Sequence, residues 1–380
     1  KKMPPKLRIH PPLLNTASPW ATSRTHLAAL LRCPSLGAVT TRTSLLAGFP
    51  HDPLRHRYAF FDPATGEAVH GSVNDGGGTK SGANTFSGPP EDSLVNDIFL
   101  KDLDNDKMPL ASLNTLGYSP LPLSEYLSII SSLTSSSQSP PSTPKTIIIS
   151  ITGSPEEISS SIALISSFSR SSSSSSSSSF PLAIEINLSC PNIPHLPPPA
   201  YSPASLATYL AALPSPDSDS QIPIGIKIPP YTHAGQFDDF VSALLGSHSP
   251  SSPAAPSPSD PVPASKLSFI TATNTLGSSL LLDFSFSSPE PPLPDSGIGG
   301  MAGPPLHPLA LGNVSILRRR FDADPRLAHL DIIGVGGVYD SQGYQRMRSV
   351  GAMAVGIATA LGRQGVGVFT SIEKDIQSAW

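Results

Sequence analysis

The feature that most constrains this chain is a recurring short apolar run, rich in Ile, Val and Thr, that alternates with stretches of helical spacing. Such runs lack the every-other-residue polarity of a half-exposed strand, so they suit parallel strands buried on both faces. The expected strands are Gly37–Thr41, Leu110–Thr115, Thr146–Thr152, Leu182–Cys190, Ile222–Ile228, Leu267–Asn274, Leu330–Val335 and Ala352–Ile357. Helices are expected at Leu123–Leu133, from Ser154-Pro155-Glu156-Glu157, from Ser202 to Leu213, and at Phe237–Leu245, Leu311–Phe321, Ser341–Val350 and Val366–Ala379. Ser154 and Pro155 make a strong helix start, with a capping hydroxyl, a preset φ and acids in the first turn. Eight strands alternating with helices point to an α/β fold, a (β/α)8 TIM barrel in one domain spanning residues 1–380. A doubly wound open sheet is the runner-up. The stretch from Ala47 to Lys107, with Gly76-Gly77-Gly78, fits neither pattern.

Between the periodic segments lie patches of Pro and Ser. The chain carries 44 Pro in 380 residues, more than twice ordinary usage. The patches cluster at about 136–144, 170–180, 248–265 and 285–295, with a further one at Pro197–Pro203. They read as loop insertions or disorder, because periodicity resumes after each; the run Ser171–Ser179 cannot bury apolar surface. A net charge of −4 argues against nucleic acid or an anionic membrane as partner. No apolar run reaches the length of a membrane span, and the start at Lys1-Lys2-Met3 is not that of a secretory signal. The two cysteines, Cys33 and Cys190, make no disulfide framework, which suggests a reducing, cytoplasmic compartment. The ten His show no ligand spacing, so no metal is expected.

In a barrel the residues just after each strand build the active face. Here they are Thr41-Arg42-Thr43, Asn114 to Gly117, Asn187 to Asn192, Lys227 to Tyr231, Asn274 to Gly277, Gly334 to Gly337 and Gly356 to Thr359. The middle of this set holds amides, one Lys and one Cys; amide side chains read a planar ligand with mixed donors and acceptors. The end of the set is rich in Gly and leads into helices, which suits a phosphate. A planar heterocycle carrying a phosphate, such as FMN, satisfies both. Taken singly, Cys190 reads equally as a small buried hydrophobe, and Asn114 and Asn274 as turn residues. Gly297 to Ala302 matches a dinucleotide fingerprint in form, but it follows a Pro-rich loop rather than a strand.

Several motifs occur in an order that carries a family resemblance: Asn187-Leu188-Ser189-Cys190-Pro191-Asn192, Gly225-Ile226-Lys227-Ile228-Pro229-Pro230-Tyr231, Gly297-Ile298-Gly299-Gly300 and Ile333 to Val338. From about Leu13 to its end the chain resembles the dihydroorotate dehydrogenases. It looks like class 1, which uses a Cys base, and through Ser112 to Gly117 like subgroup 1A, a cytoplasmic FMN homodimer that reduces fumarate. The resemblance implies FMN-dependent oxidation of dihydroorotate to orotate in pyrimidine biosynthesis. Cys190 would take the C5 proton while hydride leaves C6 for the flavin. Arg42, Asn114, Leu116, Gly117, Asn187, Asn192, Asn274 and Thr275 would hold the substrate. Ala17, Ser18, Arg42, Asn187, Lys227, Gly300, Gly336, Gly337, Ala358 and Thr359 would hold the cofactor. The chain departs from the family at Arg42, where Lys is usual, at Thr275, where Ser is usual, and in the loop from Gly117 to Pro122. Two other readings stay open: an FMN-binding paralogue acting on another cyclic amide or enone, and a flavin-binding protein without turnover.

Overall fold

The structure is a computed structural model that describes residues 3–69, 111–135, 145–173, 179–192, 197–215, 222–247, 262–282, 291–377 and 380. Its strands, in chain order, are β1 (Leu13–Asn15), β2 (Ala38–Thr40), β3 (Tyr58–Phe61), β4 (Ala111–Asn114), β5 (Thr146–Ile151), β6 (Leu182–Asn187), β7 (Ile224–Ile228), β8 (Phe269–Ala272), β9 (Leu276–Leu280), β10 (Ile298–Ala302), β11 (Asp331–Val335) and β12 (Ala354–Ile357). The helices are α1 (Arg24–Arg32), α2 (Leu123–Ser135), α3 (Pro155–Ser173), α4 (Pro203–Ala212), α5 (Ala234–Leu245), α6 (His307–Ala323), α7 (Ser341–Ser349), α8 (Thr359–Gln364) and α9 (Gly367–Asp375). Eight strands close a parallel barrel in the order β1-β12-β11-β8-β7-β6-β5-β2, so the expected (β/α)8 architecture holds.

Strand parity divides the barrel into layers. Ile147, Ile149 and Ile151 of β5, Ile184 and Ile186 of β6, and Ile224, Ile226 and Ile228 of β7 belong to one core with residues of the surrounding helices. The alternate residues Leu14, Ala38, Ile148, Ala183, Phe269, Ile333 and Ala354 pack together as a second, inner core, joined by Leu7 and Ile9. Phe269 fills the middle of that layer because β7 carries Gly225, where a Cβ would stand 2.4 Å from the ring. One step further along the strands the inner residues turn polar, with Ser150, Glu185, Lys227 and Thr271 all buried. That layer is the floor of the site.

One expected barrel strand belongs elsewhere. Leu110–Thr115 yields β4, and β4 pairs antiparallel with β3 and β10 in a separate sheet of order β3-β4-β10-β9. Its place in the barrel is taken by β1, a three-residue strand that bridges β12 and β2. β1 is too short to show periodicity and follows Pro11-Pro12. The formal dinucleotide match at Gly297 to Ala302 covers β10, an antiparallel strand. Helix α3 carries three residues into the Ser run, since extending a formed helix costs far less than starting one. Of the other expected insertions, 136–144, 248–261 and 285–290 lie outside the described residues, as do 174–178 and Gly76-Gly77-Gly78. Pro263–Lys266 forms a short 3-10 helix. Among the described residues, no helix is long and apolar enough to cross a membrane.

Candidate active site

The four-stranded sheet lies over the C-terminal mouth of the barrel, and a cleft runs between the two. It encloses about 750 Å³ between its walls, counting its open side. Fourteen of the expected site residues line it: Ala17, Ser18, Arg42, Asn114, Leu116, Gly117, Asn187, Cys190, Asn192, Lys227, Asn274, Thr275, Ala358 and Thr359. Residues more than 300 positions apart in sequence thus meet at one surface because each follows or ends a strand.

The floor begins with Glu185, which accepts hydrogen bonds from Ser150 (2.9 Å) and Thr271 (2.7 Å). Beside it, Lys227 is buried and donates to the Thr16 hydroxyl at 3.3 Å. Burial pushes the Lys227 ammonium below its usual range, while the charges of Glu185 and Cys190 pull it back up. A buried cation with a carboxylate behind it and an open cleft in front is arranged to meet negative charge on a ligand.

Four amides ring the cleft. Asn187 donates to the Thr43 hydroxyl (3.0 Å), and its oxygen takes bonds from the backbone and hydroxyl of Ser189. Asn274 donates to the Ser189 hydroxyl at 2.9 Å. On the opposite wall, Asn192 donates to Asn114 (2.8 Å) and to the Leu116 carbonyl (2.9 Å). Asn114 in turn donates to the Gly300 carbonyl at 3.0 Å, tying β4 to β10. The ring is therefore held in place before any ligand arrives.

Cys190 stands among these amides, three residues past the end of β6. Burial pushes its thiol up; the Asn192 backbone N–H, the Lys227 and Arg42 charges and a hydrogen bond from Tyr118 work the other way. Arg42 follows β2 and donates to the Gly117 carbonyl at 3.3 Å, so it links barrel to roof. Gly117 is glycine for a reason of space: a Cβ there would lie 2.2 Å from the Phe49 ring.

Whether FMN fits can be tested on two features. Ser18 lines the cleft with its hydroxyl buried and without a hydrogen-bond partner, and Lys227 presents a buried ammonium beside it. Both suit the polar edge of a bound heterocycle. Three expected cofactor residues do not line the cleft. Gly300 sits just behind it, where a Cβ would strike Thr275. Gly336 gives its carbonyl to His307 Nδ1 at 2.7 Å, and Gly337 (φ +67°) packs against Gly303 and His307. His307 Nε2 faces the Arg346 Nε–H at 3.2 Å, so Nδ1 carries the proton.

The cleft also includes residues to which the sequence gave no binding or catalytic role: Pro19, Trp20, Thr43, Tyr58, Ser112, Tyr118, Pro191 and Ala302. Trp20 stacks on Phe60 (centroids 6.0 Å apart, 14° between planes) and meets Tyr58 edge-on, forming an aromatic wall. Four of the eight, Pro19, Thr43, Tyr118 and Pro191, adjoin a predicted site residue, and that adjacency was the available signal. Tyr58 and Ser112 enter only through antiparallel pairing. Among the described residues no cluster of His, Cys, Asp or Glu could hold a metal.

The sequence profile of the dihydroorotate dehydrogenase family matches residues 259–379. The dihydroorotate dehydrogenase (fumarate) of Trypanosoma cruzi is 29% identical over 268 residues, 70% of this chain and 73% of that protein. The chain is thus similar in sequence to dihydroorotate dehydrogenases. The putative dihydroorotate dehydrogenase A (fumarate) of Streptococcus uberis is 28% identical over 270 residues, 71% of this chain and 73% of that protein. In fold, the chain is similar to the ligand-free dihydroorotate dehydrogenase of Eimeria tenella, with a TM-score of 0.59 at 14% identity, covering 98% of this chain and 86% of that one.

Proposed function

We propose that this chain is a flavin oxidoreductase acting on a CH–CH donor, which oxidises (S)-dihydroorotate to orotate in pyrimidine synthesis and passes the electrons to fumarate. The observation that carries this reading is Cys190 standing inside a ring of Asn114, Asn187, Asn192 and Asn274, with buried Lys227 lining the same cleft. The relatives named as fumarate-type dehydrogenases support it.

FMN, when bound, supplies the two-electron acceptor for the C6 hydride. The chain's own residues do the rest. The Cys190 sulfur, as thiolate, takes the C5 proton, and the resulting thiol must return that proton to solvent before the next cycle. The amides read the donors and acceptors of the pyrimidine edge, and Arg42 faces its carboxylate. Lys227 and Ser18 hold the cofactor's polar edge, where Lys227 offsets the negative charge of its reduced form. Ala358 and Thr359 line the end assigned to the phosphate, and Gly300, Gly336 and Gly337 are assigned to the cofactor from the sequence.

The fold, read as one FMN-binding domain, is assigned to a cytoplasmic homodimer that engages neither nucleic acid nor membrane. The two free cysteines suit a reducing compartment. Arg42 keeps a second reading in play, a paralogue acting on another cyclic amide or enone, since its planar fork is not equivalent to an ammonium. The test is turnover of purified protein reconstituted with FMN. Orotate formation that depends on both dihydroorotate and fumarate is the expected result. A flavin-loaded protein that forms no orotate with any acceptor would exclude dihydroorotate and favour the paralogue or a binding role.

A further inference from the structure

Glu185 received no role from the sequence, yet the floor of the cleft is arranged around it. It is buried on β6, and both carboxylate oxygens are engaged. Oε1 accepts from the Ser150 hydroxyl at 2.9 Å and Oε2 from the Thr271 hydroxyl at 2.7 Å. Ser150 stands on β5 and Thr271 on β8, so the carboxylate reaches across β7. Lys227, on β7 itself, is the register partner of Thr271. Lys227 lines the cleft and Glu185 does not. The carboxylate therefore lies behind the ammonium.

Glu185 also ends a chain of hydrogen bonds that begins in the amide ring. The Ser189 N–H can only donate, so the Asn187 atom it meets at 3.2 Å is the oxygen, and the other is the amide nitrogen. That nitrogen donates to the Thr43 hydroxyl at 3.0 Å. The Thr43 and Ser150 hydroxyls are 2.9 Å apart, and each has one hydrogen to give. Ser150 spends its hydrogen on Glu185, so Thr43 donates to Ser150. Every link then points the same way, from Asn187 through Thr43 and Ser150 to Glu185. A carboxylate takes this hydrogen and that of Thr271 without conflict. A protonated carboxyl would have to place a hydrogen of its own against one of them. A buried carboxylate needs a buried cation, and Lys227 in the same polar layer supplies it. Burial pushes the Lys227 ammonium down; of the two charges that pull it back up, Glu185 acts more strongly than Cys190.

We propose that Glu185 is the positioning residue of this floor: pinned by Ser150 and Thr271, its carboxylate is the counter-ion that holds Lys227 as a cation facing the cleft, ready to meet the negative charge of a reduced cofactor. This rests on the reading of the cleft as an FMN site.

The test is the midpoint potential of bound FMN in the wild-type protein and in Glu185→Gln, which keeps the shape and removes the charge. Lys227 is expected to lose its proton in the variant. Reduced FMN should then be held about tenfold more weakly relative to oxidised FMN, a fall of about 30 mV for a two-electron couple. If Lys227 stayed charged without Glu185, loss of the anion would favour the reduced cofactor and raise the potential. A merely structural role would weaken both redox forms alike and leave the potential where it was. An unchanged or raised potential therefore overturns the proposal. If the variant does not fold, or the protein takes up no flavin, stability is read instead. Glu185→Gln/Lys227→Met leaves no uncompensated charge and is expected to show a higher Tm than Lys227→Met alone. A double variant no more stable than Lys227→Met overturns the proposal. The potential needs flavin but no substrate. The expected fall, in a protein whose flavin dihydroorotate never reduces, would sink the dehydrogenase reading and leave the role of Glu185 standing.

Discussion

The floor and the roof of the cleft are built by different physics. The floor belongs to the barrel: Glu185, Lys227, Ser150 and Thr271 sit on parallel strands locked between two apolar layers. The roof is a small antiparallel sheet over a separate core of Ala59, Phe61, Ala111, Leu113, Leu281 and Leu293. Burial scales with core size, so the floor is the better held of the two. Cys190, proposed as the base, and the buried cation Lys227 belong to barrel strands and the loops that follow them, while Asn114 of the amide ring and Tyr118 occupy the side with less to hold it. On the proposed reading, the barrel therefore fixes the chemistry and the roof sets the substrate fit.

The largest effect should come from the floor. Lys227→Met leaves Glu185 buried without its cation, at a cost of about 3 kcal/mol or more. Thermal denaturation should show a Tm lower by several degrees and loss of bound flavin. A variant of wild-type Tm would mean that the two charges do not support each other. Next, pH should act through Cys190, the proposed base. Burial raises the Cys190 thiol and the thiolate is the proposed base, so the rate of flavin reduction should rise with pH. It should still be climbing above the ordinary thiol range of about 8.5. A flat profile would remove Cys190 from the rate-limiting proton transfer.

Asn114→Ala attacks the roof alone. It removes the bond to Gly300 and the acceptor for Asn192, each worth about 1 kcal/mol. KM should rise about tenfold with Tm nearly unchanged; a large fall in Tm would erase the distinction between floor and roof. The smallest effect is expected at the link between them. Arg42→Lys gives up the single Nη2 hydrogen bond to the Gly117 carbonyl and should change dihydroorotate turnover by only about threefold, as a gain. No change with flavin bound would favour the paralogue reading.

The same division explains what the sequence could reveal. Ile147, Ile149, Ile184, Ile224 and Ile226 announce buried parallel strands by composition alone, and Cys190 with its asparagines lies at their ends. The roof depends on pairing between segments near residues 60, 112, 279 and 300, and no local pattern encodes such a partner. Leu110–Thr115 therefore reads as a barrel strand, since nothing within the segment tells which sheet it joins. Tyr58 and Ser112 reach the cleft only through that pairing. Gly336 and Gly337 were legible as a Gly-rich loop suited to a phosphate; that His307 and Gly303 occupy the space around them was not.

The most direct test of the central claim is anaerobic stopped-flow absorbance of the flavin-loaded protein mixed with dihydroorotate. The expected result is bleaching of the flavin band that fumarate reverses, slowed by about a hundredfold or more in Cys190→Ser. A flavin band that dihydroorotate never bleaches, or that bleaches at the same rate in Cys190→Ser, would contradict it.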